Sequence, residues 1–232
     1  MLDLVDEEDR AAVRDALTVT VYTAPAGPWT PGLLATNGDS QLGLLLLEGL
    51  LLRDVSVAHT TCGELVGAGE LLRPWDRFGD RAPMPVEIDW KALEPLRIAI
   101  LDHHFAARLG RWPTLVHAFM QRAIERSHSL ALHVAIHCIR RVDVSLLVLF
   151  AHLADRFGKV TPEGVVIPVR LNQEDLGRLV GATRQSVNLA LRQLFDRAAL
   201  ARRDDETWIL NIDALAGIDH LLARRSPRGS VS

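Results

Sequence analysis

Cysteine is scarce in this chain, which contains only Cys62 and Cys138 among 232 residues. The two cysteines lie far apart in the sequence, so neither a CxxC metal-binding motif nor a disulfide framework is present. This content fits a reducing compartment, and we expect a cytoplasmic protein with no bound metal and no definite cofactor.

Targeting and membrane-spanning segments are also missing from the sequence. The N-terminus, MLDLVDEEDR, is acidic and has neither the basic nor the apolar region of a signal peptide. The longest apolar run, Leu42 to Leu52, is interrupted by Glu48 and Gly49 and is too short to span a bilayer. We therefore expect a soluble protein that has no membrane partner.

Motifs of the common enzyme classes are not found either. The sequence has no nucleophile elbow, no phosphate-binding loop and no HExxH. Asp102, His103 and His104 form the only cluster that resembles a catalytic site, and we expect the two histidines to be a surface pair at the end of a strand. The sequence therefore predicts no catalytic residue and no enzyme.

The chain does contain enough apolar sequence for more than one core. Hydrophobic residues make up 48% and charged residues 24% of the chain, which favours two folded domains and argues against disorder. The formal charge of −3 is unevenly distributed: from Lys159 onward 11 Lys or Arg and 9 Asp or Glu give +2, which leaves −5 for the rest. This difference is weak evidence about nucleic acid, since a local basic stripe suffices for binding.

The stretch from Leu171 to Leu200 has the pattern of two short helices joined by a tight turn. Asn172 is a candidate N-cap, and two acidic residues follow it in the first turn, where the helix dipole favours negative charge. Gly181 ends the first helix, Thr183 is a candidate N-cap for the second, and Gly177 is small enough for a close crossing. Apolar residues recur at helical spacing in both helices: Leu176, Leu179, Val180, Val187, Ala190, Leu191 and Leu194. The sequence therefore predicts a helix-turn-helix.

The second predicted helix leaves polar side chains exposed in its first turns. Arginine can pair with guanine O6 and N7, and glutamine or asparagine can pair with adenine N6 and N7 in the major groove. The predicted DNA-binding residues are Thr183, Arg184, Gln185, Ser186, Asn188 and Arg192. Two packed helices with a solvated polar face are the alternative interpretation. After Leu200, a basic pair, an acidic turn and the β-prone segment Thr207 to Leu210 predict a two-stranded wing.

The first half of the chain has the pattern of a small β-structure. After a short amphipathic helix at Glu7 to Ala16, β-prone runs alternate with Gly, Pro and Asn. We expect an antiparallel β-roll or barrel in which Glu48 and Gly49 form a hairpin turn and Arg97 to Leu101 is the closing strand.

A long helix is predicted to begin at Pro113, because proline suits the first turn of a helix. A heptad-like seam follows along it: Val116, Met120, Ala123, Ser127, Leu130, Val134 and His137. We interpret this seam as a homodimer interface, since a helix of about 25 residues is longer than one small domain needs. Packing of the seam on the chain's own β-roll is the alternative. Another helix is expected from Val144 to Phe157, and the expected domains are residues 1–112, 113–158 and 159–232.

A β-roll, a long pairing helix and the sequence QEDLGRLVGATRQSVNLAL with a wing together resemble the Crp/Fnr family of bacterial transcription regulators. The resemblance covers nearly the whole chain and is most specific from Gln173 to Leu194. It implies an α+β fold with an N-terminal antiparallel β-roll of the cyclic-nucleotide-binding-like type, a long dimerisation helix and a C-terminal winged helix-turn-helix. It also implies a homodimer on double-stranded DNA with two-fold symmetry, and contact with RNA polymerase.

The sensory domain departs from the family pattern at its nucleotide pocket. Val66 to Leu72, VGAGELL, resembles the loop before the family's phosphate-binding cassette, but Arg73-Pro74 stands where a Gly-Glu pair should follow to hold the ribose. The cassette's later arginine should fall near Val86 to Ile88, and none is present there. We therefore expect no ordinary cyclic AMP binding. Candidate contacts for an unidentified anionic effector are Glu70, Arg73, Trp75, Arg77 and Arg81. The alternative is that these arginines lie in a solvated surface loop.

Other sensors of the family also lack their ligands here. An iron–sulfur cluster needs about four cysteines, and the chain has two. His133 and His137 are four apart on a helix, with Cys138 beside them and His128 before them, but no third ligand at a recognised spacing completes a metal site. We expect His137 to be a dimer-packing residue.

The predicted DNA specificity departs from the family as well. Arg184 keeps the arginine that reads guanine, but Gln185 replaces a common glutamate and Leu189 replaces a common arginine. Glutamine cannot accept a hydrogen bond from cytosine as a carboxylate does, and leucine cannot donate to guanine or phosphate. We expect an operator other than the TGTGA-type half-site. The leading hypothesis is a homodimeric, sequence-specific transcription regulator; an architectural or protein-interaction module with little DNA sequence preference is the alternative.

Overall fold

The computed structural model describes residues 5–34, 41–74 and 85–217. The chain divides into two compact units within one long helix, α3 (Pro113–His137): the first unit ends at Ala131 and the second begins at Leu132. None of the helices in the described ranges is both long enough and apolar enough to span a membrane. The three-part division at residues 112 and 158 stays a prediction.

Antiparallel strands dominate the first unit and confirm the predicted β-roll. Its strands are β1 (Thr20–Ala24), β2 (Gly27–Pro28), β3 (Gly43–Glu48), β4 (Leu51–Val57), β5 (Thr60–Val66), β6 (Leu71–Leu72), β7 (Val86–Ala92) and β8 (Leu96–Leu101). They form two four-stranded sheets with the orders β1-β8-β3-β6 and β2-β7-β4-β5. The predicted strand at Arg97 to Leu101 lies inside its sheet, between β1 and β3, rather than at an edge.

The sequence of strand β3 is continuously apolar instead of alternating, because both faces of the strand are buried. Leu44 and Leu46 belong to the cluster that also contains Leu51, whereas Leu45 belongs to a second cluster around Phe105. Successive side chains of a strand point to opposite faces, so both faces of β3 are buried. Each leucine buried in this way contributes about 1.5–3 kcal/mol to folding.

The prediction of a hairpin turn at Glu48 and Gly49 is wrong. The strands on either side, β3 and β4, lie in different sheets: β3 pairs with β6 and β8, and β4 pairs with β5 and β7. Gly49 has φ +97°, and a Cβ there would collide with the carbonyl oxygen of Pro95. The glycine therefore redirects the chain from one sheet to the other, and a local pattern of two apolar runs cannot distinguish this crossover from a hairpin.

Helices of the first unit are α1 (Arg10–Ala16), α2 (His103–Leu109) and the first part of α3. Asp102 caps α2, because its Oδ1 accepts a hydrogen bond from the Phe105 amide at 2.8 Å. This assigns Asp102 a structural role. The His103 and His104 rings pack against each other with centroids 3.8 Å apart. His104 is exposed and His103 is half-buried, so the expected surface pair is only partly at the surface.

The second unit combines helices with a small sheet. It contains α4 (Val142–Phe157), β9 (Lys159–Thr161), β10 (Gly164–Ile167), α5 (Gln173–Val180), α6 (Arg184–Asp196), β11 (Leu200–Arg202) and β12 (Trp208–Leu210). The strand order is β11-β12-β10-β9, so the predicted two-stranded wing is part of a four-stranded antiparallel sheet. Trp208 anchors this sheet, since its buried ring lies with its centroid 4.9 Å from that of Phe150 on α4.

Candidate nucleic-acid interface

Both ends of α5 have the local chemistry that the sequence predicted. Asn172 Oδ1 accepts hydrogen bonds from the amides of Glu174 and Asp175 at 2.8 and 2.9 Å, which caps the N-terminus. Gly181 follows the C-terminus in the left-handed conformation with φ +66°. Helix α5 therefore has defined first and last residues, and it delivers the chain into a short turn.

Gly177 allows that turn to fold back onto α5. The Ala182 amide donates to the Gly177 carbonyl oxygen at 2.9 Å. A Cβ at position 177 would lie 2.6 Å from the Ala182 carbonyl oxygen and 3.8 Å from Val187 of α6. The expected close approach at Gly177 is confirmed, and the turn backbone makes the tighter contact.

Helix α6 begins at Arg184, directly after its cap. The Thr183 hydroxyl accepts from the Ser186 amide at 3.2 Å, and the two hydroxyl oxygens lie 2.9 Å apart. The buried face of the helix consists of Val187, Ala190, Leu191 and Leu194, as predicted. Thr183 and Ser186 therefore hold the start of the helix, whatever else they contact.

The opposite face of α6 is polar and open to solvent. Of the six predicted DNA-binding residues, Thr183, Arg184, Gln185 and Arg192 are exposed, and Ser186 and Asn188 are half-buried. The Arg184 Nε lies 3.5 Å from Gln173 Oε1, a long hydrogen bond that a better partner can replace. The structure therefore places all six on α6 and its cap, with Arg192 in the second half of the helix, and their contact with DNA stays a prediction.

The connection between β11 and β12 is a tight turn that carries both signs of charge. Arg202 and Arg203 are exposed on one side, with Arg202 stacked over Trp208 at 5.4 Å from the ring centroid. Asp205 Oδ1 accepts from both the amide and the hydroxyl of Thr207, and these hydrogen bonds lower the pKa of the Asp205 carboxyl. Both arginines form ion pairs within the turn, Arg202 with Glu206 at 3.3 Å and Arg203 with Asp205 at 3.7 Å.

The buried carboxylate of Asp143 pairs with two partly exposed arginines and thereby joins the far end of α6 to the start of α4. Asp143 Oδ2 lies 2.6 Å from Arg141 Nη2 and 3.3 Å from Nη1 of Arg197, the residue that follows α6. Burial raises the pKa of the Asp143 carboxyl, but the hydrogen bond and charge of Arg141 and the charge of Arg197 outweigh it, so that the pKa is lowered. No sequence pattern marked this pair, because the two helices are joined only by tertiary packing.

Three histidines of the second unit lie close together. The rings of His137 and His152 each lie with their centroid 6.2 Å from that of His133. His133 is buried, and its Nε2 has no hydrogen-bond partner among the described residues. In the described ranges, no group of three His, Cys, Asp or Glu residues has a metal-binding arrangement. His137, expected on the dimer seam, is half-buried, and a Cβ on Gly181 would lie 2.7 Å from its Nδ1.

The predicted seam of α3 is mostly open within the single chain. Met120 and Val134 are 60% and 63% exposed, and Ala123, Ser127 and Leu130 are also exposed. Val116 differs, because it is half-buried against the apolar cluster around Phe105. Within the described residues, Val116 and His137 are therefore the half-buried members of the face that the heptad pattern identified, and the other five are exposed.

Two of the five candidate effector contacts already have partners within the first unit. Glu70 Oε2 accepts from Arg126 Nη1 of α3 at 2.9 Å, and Arg73 Nη1 donates to the Gln41 carbonyl oxygen at 3.1 Å. Arg126 also pairs with Glu64, and Arg53 pairs with Glu64 at 3.3 Å. Trp75, Arg77 and Arg81 lie outside the described residues.

A small cleft lies beside this network. Its volume is about 100 Å³, and it is lined by Arg53, Leu71, Leu72, Arg73, Pro74, Ile88, Trp90 and Arg126. Three arginines and five apolar residues form this lining, and the Arg53 guanidinium lies 5.5 Å from the Trp90 ring centroid. No sequence pattern predicted Arg53 or Arg126, because nothing in their local sequence links them to Glu70.

Comparison with known proteins gives one match to a domain family and several matches to solved structures with the same fold. Residues 144–218 match the sequence profile of the Crp-like helix-turn-helix domain. No curated protein sequence matches the chain. A CooA mutant from Carboxydothermus hydrogenoformans is 17% identical, with 90% of this chain and 89% of that chain covered and a TM-score of 0.63. A cyclic nucleotide-binding domain containing protein from Listeria monocytogenes EGD-e is 14% identical, with 91% and 95% covered and a TM-score of 0.67. A CRP-family transcriptional regulator from Thermus thermophilus is 16% identical, with 87% and 96% covered and a TM-score of 0.59.

The capped helix pair, its exposed polar helix and its wing define a DNA-binding domain of the winged helix-turn-helix class. The profile match gives the type of this domain. The matched structures share the fold of most of the chain, including the first unit. Residues 144–218 therefore form a Crp-like helix-turn-helix domain, which supports a DNA-binding transcription regulator.

Proposed function

We propose that the protein is a homodimeric, sequence-specific regulator in which α6 of each subunit reads the major groove. The observation that carries this proposal is the geometry of α6. Its N-terminus is capped, one face is buried, and the other face presents Arg184, Gln185 and Arg192 to solvent. Guanidinium and amide groups near the start of such a helix are those that recognise guanine and adenine edges.

Selection of duplex DNA from a random pool tests sequence specificity. We expect enrichment of a two-fold symmetric sequence whose half-sites lie about one helical turn apart, roughly 34 Å. Because Gln185 and Leu189 replace the family's common glutamate and arginine, the half-site should differ from TGTGA. Recovery of TGTGA would contradict the changed operator. A pool that binds without enrichment would favour the architectural alternative.

Arg184 separates these two functions directly. In a sequence-specific regulator, Arg184→Ala should weaken binding to the selected sequence much more than binding to unrelated DNA, because a base contact is lost. Arg203→Ala is a suitable control, since this wing arginine is exposed and is expected to contact only phosphate. Equal losses on all DNA for both variants would support binding without base recognition.

The proposed homodimer is supported by the exposed seam of α3. Met120, Leu130 and Val134 are each at least one-third exposed in the single chain. Burying such side chains between two subunits would contribute about 1.5–3 kcal/mol per fully buried residue. Sedimentation should show a dimer for the wild type and a monomer for Met120→Glu. Val21→Glu is the control, because Val21 is also exposed but lies on β1 and not on α3. A monomeric wild type would refute this part of the proposal.

The pocket of the first unit is proposed not to bind cyclic AMP in the family's usual way. Glu70 is held by Arg126, and the adjacent cleft of about 100 Å³ is smaller than the roughly 300–1,000 Å³ of ordinary ligand pockets. Thermal unfolding with and without millimolar cyclic AMP or cyclic GMP tests this point. A nucleotide at about 100 times its Kd would add about 2.7 kcal/mol of stability, whereas we expect no shift. A clear shift would contradict this proposal. It would show that the protein binds the nucleotide, and the effector would then be sought among cyclic nucleotides.

We further propose that the protein acts in the cytoplasm and contacts RNA polymerase, as the family resemblance implies. Transcription in vitro from a promoter that carries the selected sequence tests this proposal. Activation or repression that depends on the operator would support it. Transcript levels that are unchanged when the operator is occupied would contradict it.

A further inference from the structure

Leu189 is an exposed apolar side chain in the middle of the polar face of α6. Its side chain is 60% exposed, and it is the only large hydrophobic residue with such exposure between Thr183 and Arg192. Gln185 lies one turn before it on the same face, and Arg192 lies about one turn after it. An apolar group therefore stands at the centre of the groups expected to face DNA.

Leu189 is not part of the packing that holds α6 in its unit. Helical geometry places it roughly 160° around the helix from Val187, which belongs to the buried face. A smaller or polar residue at this position would therefore leave the fold of the unit unchanged. A bound partner is the natural source of cover for this side chain.

The major groove of DNA offers one apolar group at a base edge, the 5-methyl group of thymine. The neighbours of Leu189 are an amide and a guanidinium, which match base-edge and phosphate acceptors rather than another apolar surface. An A·T pair would satisfy two of these residues together, since Gln185 or Asn188 can pair with adenine while an aliphatic side chain covers the thymine methyl. These chemical requirements favour duplex DNA over a protein as the partner at Leu189.

We infer that Leu189 reads thymine 5-methyl groups in the operator and thereby distinguishes thymine from cytosine at one position of each half-site. This inference rests on the proposed sequence-specific binding and adds a specificity-determining residue to it. It also predicts that 5-methylcytosine is accepted better than cytosine at that position.

Replacing thymine by uracil in the selected operator tests the contact, because uracil keeps the hydrogen-bonding edge and lacks only the methyl group. At one thymine of each half-site, we expect a loss of about four-fold per replaced methyl and about fifteen-fold when both half-sites are changed. The four-fold loss corresponds to about 0.8 kcal/mol for each buried methyl-sized group. Leu189→Ala should bind the thymine and uracil operators equally.

Val160→Ala is the matched control, because Val160 is 82% exposed and lies on β9 of the same unit rather than on α6. It should keep the full difference between thymine and uracil. Thermal unfolding of all three proteins should coincide, since both substituted side chains are exposed.

The outcomes separate this inference from the function on which it rests. Failure to enrich any sequence would refute sequence-specific binding itself. Enrichment of an operator in which every thymine tolerates uracil would overturn the role of Leu189 and leave the proposed function intact. A thymine-to-uracil difference that persists in Leu189→Ala would also overturn it, since another residue would then contact the methyl group.

Discussion

Acidification should destabilise the second unit through His133. This imidazole is 4% exposed, and its Nε2 has no hydrogen-bond partner among the described residues. Burial lowers its pKa to about 4, with smaller contributions from His152, His137 and Arg156, so the folded state favours the neutral ring. The ring should therefore accept a proton more readily in the unfolded chain than in the folded one.

The sign and size of the effect follow from proton linkage. The pKa of His133 is 6.5 in the unfolded chain and about 4 in the folded protein. Above pH 6.5 the ring is neutral in both states, and the folded protein has its full stability with respect to this group. It is lost as the pH falls from 6.5 to about 4. At pH 5 the loss relative to pH 8 is about 2 kcal/mol, and it approaches about 3 kcal/mol below pH 4.

Urea unfolding of the full chain at pH 8 and pH 5, followed by the signal of the second unit, measures this loss. His133→Leu should remove about 2 kcal/mol of the difference, and the remainder should reflect other groups, including His137 and His152, whose pKa values burial also lowers. His104→Leu is the control, because His104 is exposed. The reasoning fails if His133 titrates near 6.5 by NMR, or if His133→Leu and the wild type lose equal stability.

Further predictions concern the ion-pair network and the helix-turn-helix. Arg126→Met should destabilise the first unit by about 1–3 kcal/mol in denaturant unfolding, because Glu70 loses this cation and Glu64 keeps only Arg53; a loss under 1 kcal/mol would show that the two carboxylates remain solvated. Gly181→Ala should cost about 1–2 kcal/mol and weaken operator binding, since φ is +66° and the added methyl meets His137; unchanged stability would mean that the turn can rearrange. Asn172→Ala should cost about 1 kcal/mol in thermal unfolding through loss of the α5 cap, and Asn172→Asp should retain most of that stability.

Glu70 shows how the fold adds contacts that no sequence motif contains. The sequence pattern selected Glu70 as a possible effector contact, and the structure shows its carboxylate paired with Arg126, which lies 56 positions further along the chain. The same network uses Arg53 and Glu64, which no motif contains. Charge compensation of this kind depends on which segments the fold brings together, so a pattern of neighbouring residues cannot reveal it.

Local chemistry determined much of the second unit from the sequence alone. The caps at Asn172 and Thr183, the turn at Gly181 and the buried stripe of α6 each depend on interactions within about one helical turn, and all of them were predictable. The strand character on either side of Gly49 was predictable for the same reason. Local propensity and periodicity act over a few residues, which is the range that a sequence pattern samples.

Only the tertiary structure decided which elements meet. It placed β3 and β4 in different sheets, joined β9 and β10 to the wing, and paired Asp143 with Arg197. It also buried His133 while leaving Leu189 exposed, although both lie on amphipathic helices. These outcomes depend on contacts between segments that are distant in sequence. Their free energies are set by the packing of the whole unit and not by the residues on either side.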